Sequence, residues 1–371
     1  MDQRGEARSE RHIIELDGLR GVAVAMVVLL HLIIQNDWGN LELSRWLHKL
    51  LGVCDQGVDV FFVLSGFLIG SILIRHRDSP RLLKAFYARR FFRIVPIYYL
   101  LLASLWILTP IDNYLRFGLI YYLHDPNPLP HLRYLLFFQN SVIASTQSME
   151  PHWLAVTWSL AVEEQFYLVS PLVTKFLRRN LAIGLCVGAL LVCPFLRFVY
   201  VGKMQNVYAI LLLVCRADAL CAGFLVAWAC SSEKALDWFK TRSRWVALAV
   251  WLYVVSALLD AFLRGNASLT GIVLRPSFYA FGNAIIVLCL MTRENSIFAR
   301  ILRIRPLVAL GGISYFVYLF HWPLKYVAET QLPNHRVLAV AISVPVTIGL
   351  AILSRRRFEQ PLLRYAKRFS Y

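Results

Sequence analysis

The stretch LDGLRGVAVAMVVLLH, from Leu16 to His31, decides the fold class, because a charged, glycine-punctuated start runs directly into an apolar helix. An arginine, Arg20, stands near its beginning and a histidine ends it. On one helix Arg20 and His31 lie about 16 Å apart along the axis and on nearly the same face. A segment suited to lipid therefore carries two ionisable groups at different depths.

The composition of the whole chain is that of a membrane protein. Of its 371 residues 58% are hydrophobic, and the mean hydropathy is +0.57, which lies outside the usual range of soluble domains. The apolar residues recur in blocks of about 16 to 24, each long enough to cross a bilayer as a helix. We therefore predict an all-α, polytopic integral membrane protein.

The distribution of basic residues predicts the topology. Lysine and arginine number 28 on the side of the amino terminus and 10 on the other side, so the positive-inside rule places both termini in the cytoplasm. The net charge of +17 then reflects membrane orientation rather than a nucleic-acid partner. About ten transmembrane helices are predicted, at residues 21–35, 57–74, 94–109, 153–177, 181–199, 207–230, 245–263, 276–292, 307–327 and 336–353.

Apart from the predicted spans, the sequence indicates few other domains or segments. Residues 1–12 read as a cytoplasmic tail, residues 13–371 as one transmembrane domain, and residues 354–371 as its basic cytoplasmic end. The apolar piece within 111–152 is too short to span, which favours an interfacial or re-entrant segment. The seven cysteines are scattered, which argues against a disulfide framework or a cysteine metal site, and we expect no metal.

Ionisable residues inside predicted spans are the candidates for chemistry, because charges in hydrocarbon are costly and usually face a cavity, a partner or a substrate. His31 falls near mid-membrane, where a neutral imidazole could take a proton from a hydroxyl. A packed histidine that bonds to another helix is the alternative. The candidates are His31, Asp59, Glu163, Glu164, Arg216, Asp218 and His321, with Arg20, Arg90 and Arg93 at cytoplasmic helix ends.

Two adjacent carboxylates, Glu163 and Glu164, stand in the middle of the apolar segment WLAVTWSLAVEEQFYLVSP. Neighbouring positions on a helix point about 100° apart, so the two carboxylates face different partners. One could orient and charge-stabilise His31, as an acid does in hydrolytic triads, while the other pairs with an arginine. A structural ion pair with Arg216 is the alternative.

The segment KAFYARRFFRIVPIYY precedes a predicted span and interleaves basic with aromatic residues. Arg90 and Arg93 are neighbours on a helix face, guanidinium groups bind phosphate oxygens, and aromatic rings can stack on a purine. Ordinary positive-inside flanking is the alternative. Pro96 is expected near the start of the following helix.

Two further segments are expected to be structural. In GVDVFFVLSGFLIG the small residues favour helix packing, and Ser65 lacks the surroundings of a hydrolase nucleophile. For His321, in SYFVYLFHWPL, a structural role is favoured over a second proton carrier.

Together these segments resemble the acyltransferase-3 family of membrane O-acyltransferases over nearly the whole chain. The first stretch is similar to its first-helix signature, with Arg20 and His31 on its Arg-x10-His pair. GVDVFFVLSGFLIG resembles its second-helix signature, and Arg90 and Arg93 supply its Arg-x-x-Arg motif. Further similar segments follow in the expected order: WSLAVEEQFYLVSP, CRADALCAG, YLFHWPL and RRFEQPLLR.

The resemblance implies transfer of an acyl group, often acetyl, from cytoplasmic acyl-CoA to an acceptor hydroxyl, commonly on a carbohydrate such as a surface polysaccharide, O-antigen or exopolysaccharide unit. Some relatives carry an extracytoplasmic SGNH hydrolase-like domain, which we do not expect here. Arg20, Arg90 and Arg93 are then expected to bind the CoA phosphates. His31 is expected to act as general base or acyl carrier, oriented by Glu164 or Glu163. The polar cavity is expected to include Asp17, Asp59, Arg216, Asp218 and His321.

Other functions stay open at this stage. The acceptor could instead be a macrolide-type molecule or a lipid, and intramembrane His, Glu and Arg would also suit a proton-coupled transporter of an acylated or anionic metabolite. The family implies a bacterial inner membrane, with membrane lipids around the protein. A homodimer is left open.

Overall fold

The computed structural model describes residues 13–34, 51–119, 131–263, 268–293 and 296–371, together with the single residues 49 and 123. The predicted tail 1–12 and the central part of the 111–152 segment lie outside the described residues. Every regular element within the described ranges is helical, which confirms the all-α class.

Each of the ten predicted spans has a counterpart among the long helices of the described ranges. These are α1 (Ile14–Leu29), α2 (Gly57–Arg75), α3 (Leu82–Leu115), α4 (Trp158–Phe176), α5 (Arg179–Arg197), α6 (Leu213–Ser231), α7 (Ser243–Leu263), α8 (Leu269–Thr292), α9 (Arg305–Gln331) and α10 (Arg336–Ser354). A π-helical turn, Leu30–Ile34, extends α1 and carries His31.

Eight of these ten helices lie in segments long and apolar enough to cross a membrane, as judged over the described residues. The two others, α1 and α4, are the helices that carry Arg20 and the adjacent glutamates. Helix α1 packs against α2 and α9, and α4 packs against α2, α3 and α6. Because α1 and α4 each contact several helices, their ionisable side chains can face protein instead of lipid.

Glycines set the closest helix contacts. A methyl group on Gly311 of α9 would collide with the carbonyl group of Asp17 in α1, and one on Gly66 of α2 would collide with the carbonyl group of Leu220 in α6. Backbones approach this closely only where a side chain is missing. The packing role expected for the small residue after Ser65 is confirmed.

Helix α3 is much longer than predicted. It begins at Leu82 and holds Pro96 inside it, so the expectation that Pro96 lies near a helix start is wrong. The basic run before the apolar block continues the helix instead of forming a loop. Arg90 and Arg93 consequently lie on consecutive helical turns, in fixed positions relative to the span.

Short helices complete the two ends of the bundle. His131–Leu135 and Gln139–Thr146 fold within the 111–152 segment, where the Tyr98 hydroxyl donates to the carbonyl of Tyr134 at 2.8 Å. After α10, a π-helical turn, Arg355–Glu359, leads into Gln360–Ala366, which packs on α3.

Candidate active site

A cavity opens between α1, α2, α3, α4 and α9, with about 770 Å³ of empty space including its mouth. Three predicted anion-binding residues, Arg20, Arg90 and Arg93, line it together with Glu163. The other lining residues are Val58, Phe61, Phe62, Ser65, Leu68, Ile69, Ile94, Ser159, Leu160, Tyr167, Ser314, Tyr315 and Tyr318. Residues far apart in the sequence thus meet in one site.

The basic part of the cavity is built by α1 and α3. Arg20 forms an ion pair with Asp17, one helical turn earlier, at 2.9 Å, so Asp17 holds this side chain. Arg90 lies over the Tyr167 ring at 5.4 Å, and Arg93 is exposed. Three guanidinium groups around one cavity form a site suited to phosphate oxygens.

The carboxylate in this cavity has its own partners. Ser65 donates to Glu163 Oε1 at 2.8 Å, and Tyr167 donates to Glu163 Oε2 at 3.4 Å. The neighbouring Glu164 is half-buried, and its buried Oε1 has no hydrogen-bond partner among the described residues. The two carboxylates therefore have different surroundings, as their adjacent helix positions predict.

His31 is held by a second histidine. Its Nδ1 lies 2.8 Å from His321 Nε2, the two rings are within 3° of parallel, and Trp322 packs edge-on against His31 at 4.4 Å. The expectation that Glu163 or Glu164 is the hydrogen-bond partner of His31 is wrong: its partner is His321. Sequence reasoning named His321 but favoured a structural role for it.

Backbone contacts fix the tautomers of this pair. His321 Nδ1 lies 2.8 Å from the Tyr318 carbonyl and 3.1 Å from the Val317 carbonyl. Because carbonyl oxygens only accept, Nδ1 carries the proton, and Nε2 of neutral His321 must accept. Nδ1 of His31 is then the donor, so the lone pair of neutral His31 is on Nε2. That nitrogen can take a proton from a hydroxyl.

The histidine pair lies just beyond the cavity along α9. Tyr318 lines the cavity and packs against Phe61 at 5.8 Å, while its carbonyl accepts from His321. One turn further, Lys325 lies over the Trp322 ring at 4.8 Å and 3.6 Å from Glu329. Successive turns of α9 therefore lead from the cavity to His31.

Two further buried ion pairs involve residues that the sequence analysis singled out. Arg216 lies 3.3 Å from Asp59, which joins α6 to α2, and its guanidinium lies over Phe62 of the cavity lining. Asp218 accepts instead from Arg197 at 2.9 Å and from Ser277 at 2.7 Å.

These pairs revise the sequence-based expectations. The alternative ion pair between a glutamate and Arg216 is wrong, because Arg216 pairs with Asp59. Arg216 and Asp218 belong to separate pairs, although both were expected in one polar cavity. Arg197 was missed, although a buried arginine at the end of an apolar block is itself a signal.

No group of three or more His, Cys, Asp or Glu side chains is arranged to hold a metal ion within the part of the chain that the structure describes.

Comparisons with known proteins agree with the family resemblance that the sequence motifs indicated. A family model described as an acyltransferase domain matches residues 13–356. The O-acetyltransferase OatA of Staphylococcus aureus is 28% identical over an alignment that covers 95% of this chain and 58% of the relative. The peptidoglycan O-acetyltransferase OatA of Listeria monocytogenes is 25% identical, with 95% and 56% covered.

The chain thus spans little more than half the length of these two relatives. No solved structure matches it. A family match over most of the chain, on the same segments that form the cavity and the histidine pair, shows that the chain belongs to this acyltransferase family.

Proposed function

We propose that the chain transfers an acyl group, most simply acetyl, from cytoplasmic acyl-CoA to a hydroxyl of a carbohydrate. One observation carries this proposal. An arginine-lined cavity leads along α9 to a histidine whose Nδ1 is held by a second histidine. The arginine-lined cavity suits a donor that carries phosphates, and the histidine suits a general base.

The donor would enter with its phosphates against Arg20, Arg90 and Arg93. Its pantetheine arm would pass Ser65 and Glu163 and bring the thioester toward His31. The separation of about 16 Å between Arg20 and His31 along α1 is comparable with an extended arm of this kind. The amide groups of the arm could hydrogen-bond with the polar side chains along this path.

His31 would then act on the acceptor. Its Nε2 takes the proton of the acceptor hydroxyl while the oxygen attacks the thioester carbonyl carbon, so a C–O bond forms and the C–S bond breaks. The proton leaves with the CoA thiolate as free thiol. His321 accepts from Nδ1 of His31 throughout and stabilises the imidazolium that forms.

The relatives support the acceptor class. The Listeria protein is named a peptidoglycan O-acetyltransferase, and peptidoglycan contains sugar hydroxyls. We infer that the acceptor of this chain is also a carbohydrate, presented on the side of the membrane opposite the arginines. A bacterial inner membrane is the location that fits a cytoplasmic donor and an external carbohydrate.

The test is acyl transfer by the full chain in proteoliposomes supplied with labelled acetyl-CoA and carbohydrate acceptors. We expect His31→Ala to lower ester formation about 100-fold or more, the size of general-base contributions. His335→Ala is the matched control, because His335 is exposed at the start of α10.

Two outcomes would contradict the proposal. Normal ester formation by His31→Ala would exclude His31 as the base. Accumulation of intact labelled substrate without release of free thiol would indicate a transporter instead of an enzyme.

A further inference from the structure

An aromatic ring fills a slot beside the arginine-lined mouth. The ring of Tyr371 stacks on the imidazole of His76, with centroids 4.3 Å apart and planes within 9° of parallel. The guanidinium carbon of Arg89 lies 4.6 Å from the centre of the same ring. An imidazole and a guanidinium that both pack on one flat ring are components by which proteins commonly hold nucleobases.

The slot adjoins the donor site. Arg89 and Arg93 are one helical turn apart on α3, and Arg90, next to Arg89, lines the cavity. Burial raises the pKa of Tyr371, while the nearby Arg90 and Arg89 oppose that rise. The ring is thus within electrostatic reach of an arginine that lines the cavity.

The slot suits an uncharged purine. Burial, with Arg75 and Arg89 nearby, lowers the pKa of His76, so its imidazole is neutral near pH 7 and can stack on a base. In coenzyme A one ribose joins the adenine to the phosphates. A site that binds these phosphates at Arg90 and Arg93 therefore needs a place for a purine nearby.

The segment that delivers Tyr371 is attached to α3 by a hydrogen bond and by ring contacts. Arg89 Nε donates to the Phe369 carbonyl at 2.7 Å, and Tyr365 packs edge-on against Phe92 at 5.1 Å. Tyr371 itself is half-buried. Its ring can leave the slot without disrupting the span of any long helix.

We propose that the slot between His76 and Arg89 is the purine-binding subsite of the acyl-CoA donor, and that Tyr371 occupies it until the donor displaces the ring. This inference rests on the proposed acyl-CoA donor. Tyr371 then competes with adenine, so that donor affinity depends on the position of the segment that follows α10.

Two probes separate the nucleotide portion of the donor, which carries the purine, from its thioester arm. Acetyl-CoA carries adenine, whereas S-acetylpantetheine has the same thioester arm without adenine or phosphates. Binding of radiolabelled acetyl-CoA to the purified full chain, and its competition by S-acetylpantetheine, needs no acceptor. It therefore reports donor affinity alone.

We expect Tyr371→Ala to lower the Kd for acetyl-CoA about five-fold, because a competing ring is removed from a stacking site. Its affinity for S-acetylpantetheine should be unchanged. In the Tyr371→Ala background, His76→Ala should raise the Kd for acetyl-CoA about five-fold and again leave S-acetylpantetheine unaffected.

Phe358→Ala is the matched control, because it removes an exposed aromatic ring from the segment that follows α10 but neither from the slot nor from the contacts that attach Tyr371; neither Kd should move. Equal shifts for both probes, or no shift for either with Tyr371→Ala, would overturn the purine subsite while leaving the proposed function intact. A wild-type protein that binds S-acetylpantetheine but not acetyl-CoA, or neither probe, would overturn the acyl-CoA donor and the subsite with it.

Discussion

Two backbone carbonyls of α9 decide which nitrogen of His31 can act as a base. They accept from Nδ1 of His321, which leaves Nε2 of His321 to accept from Nδ1 of His31. In hydrolytic triads a carboxylate has this orienting role. Here the neutral imidazole of His321 occupies the place of that carboxylate, so it adds no negative charge beside His31.

In the proposed mechanism His321 is a positioning residue, and its removal should affect kcat more than donor binding. We expect His321→Ala to lower kcat about 10- to 100-fold, as for groups that orient a functional imidazole, with the KM for acetyl-CoA unchanged. His321→Gln should recover part of kcat, because its amide oxygen can accept from His31. Steady-state kinetics of the three proteins checks this; a raised donor KM with normal kcat would contradict it.

The residue types of the site could be predicted from the sequence, but their pairing could not. Arg20, Arg90, Arg93 and His31 follow from charged groups in or beside apolar segments. His321 is 290 positions from His31, and no sequence spacing connects them. The glutamates were assigned to His31 because carboxylates commonly orient imidazoles, whereas Glu163 binds Ser65 of α2.

At the scale of elements, α1 and α9 form the framework of the site. Gly311 brings the two backbones into contact near Asp17, and the histidines at 31 and 321 meet further along the same two helices. The spacing of the histidines therefore depends on how closely the helices approach. A larger distance between α1 and α9 at Gly311 would lengthen the hydrogen bond between the rings of His31 and His321.

The close approach of the two helices leads to two predictions, for alanine substitutions at the adjacent positions Gly311 and Gly312. Gly311→Ala should destabilise the protein by about 1–3 kcal/mol, because the added methyl group meets backbone that cannot move aside. Gly312→Ala is the matched control, since a methyl group there has no neighbour within 4 Å, and alanine favours helix over glycine. Thermal unfolding of the purified variants in detergent measures both; equal melting temperatures would contradict the proposed helix contact.

From the sequence, the presence of each helix could be predicted better than the residues at which it begins and ends. All ten apolar blocks form helices, since their length and composition leave few alternatives in a membrane. The start of α3 was placed twelve residues too late, because a basic, aromatic-rich helical extension has low hydropathy and resembles a flanking loop. That extension carries Arg90 and Arg93 of the cavity lining and Arg89 beside Tyr371, so the error concerned the part of the helix that adjoins the cavity.

At the scale of the whole molecule, the polar groups form a path through an otherwise apolar bundle. Arginines line the mouth, Ser65 and Glu163 follow, and Tyr318 leads to the histidine pair. The Asp59–Arg216 pair joins α2 to α6, and the Arg197–Asp218 pair joins α5 to α6. In the proposed function, such an arrangement would let an acyl group cross while the rest of the donor stays on one side.

The most direct test of this claim is the sidedness of the reaction in sealed vesicles of known protein orientation, with labelled acetyl-CoA supplied to one side at a time. We predict acetyl ester on the carbohydrate, and free CoA thiol in equal amount, only when acetyl-CoA is on the side of Arg20, Arg90 and Arg93 and the acceptor is on the other. Ester formation that requires donor and acceptor on the same side, or unchanged ester formation by His31→Ala in the same vesicles, would contradict it.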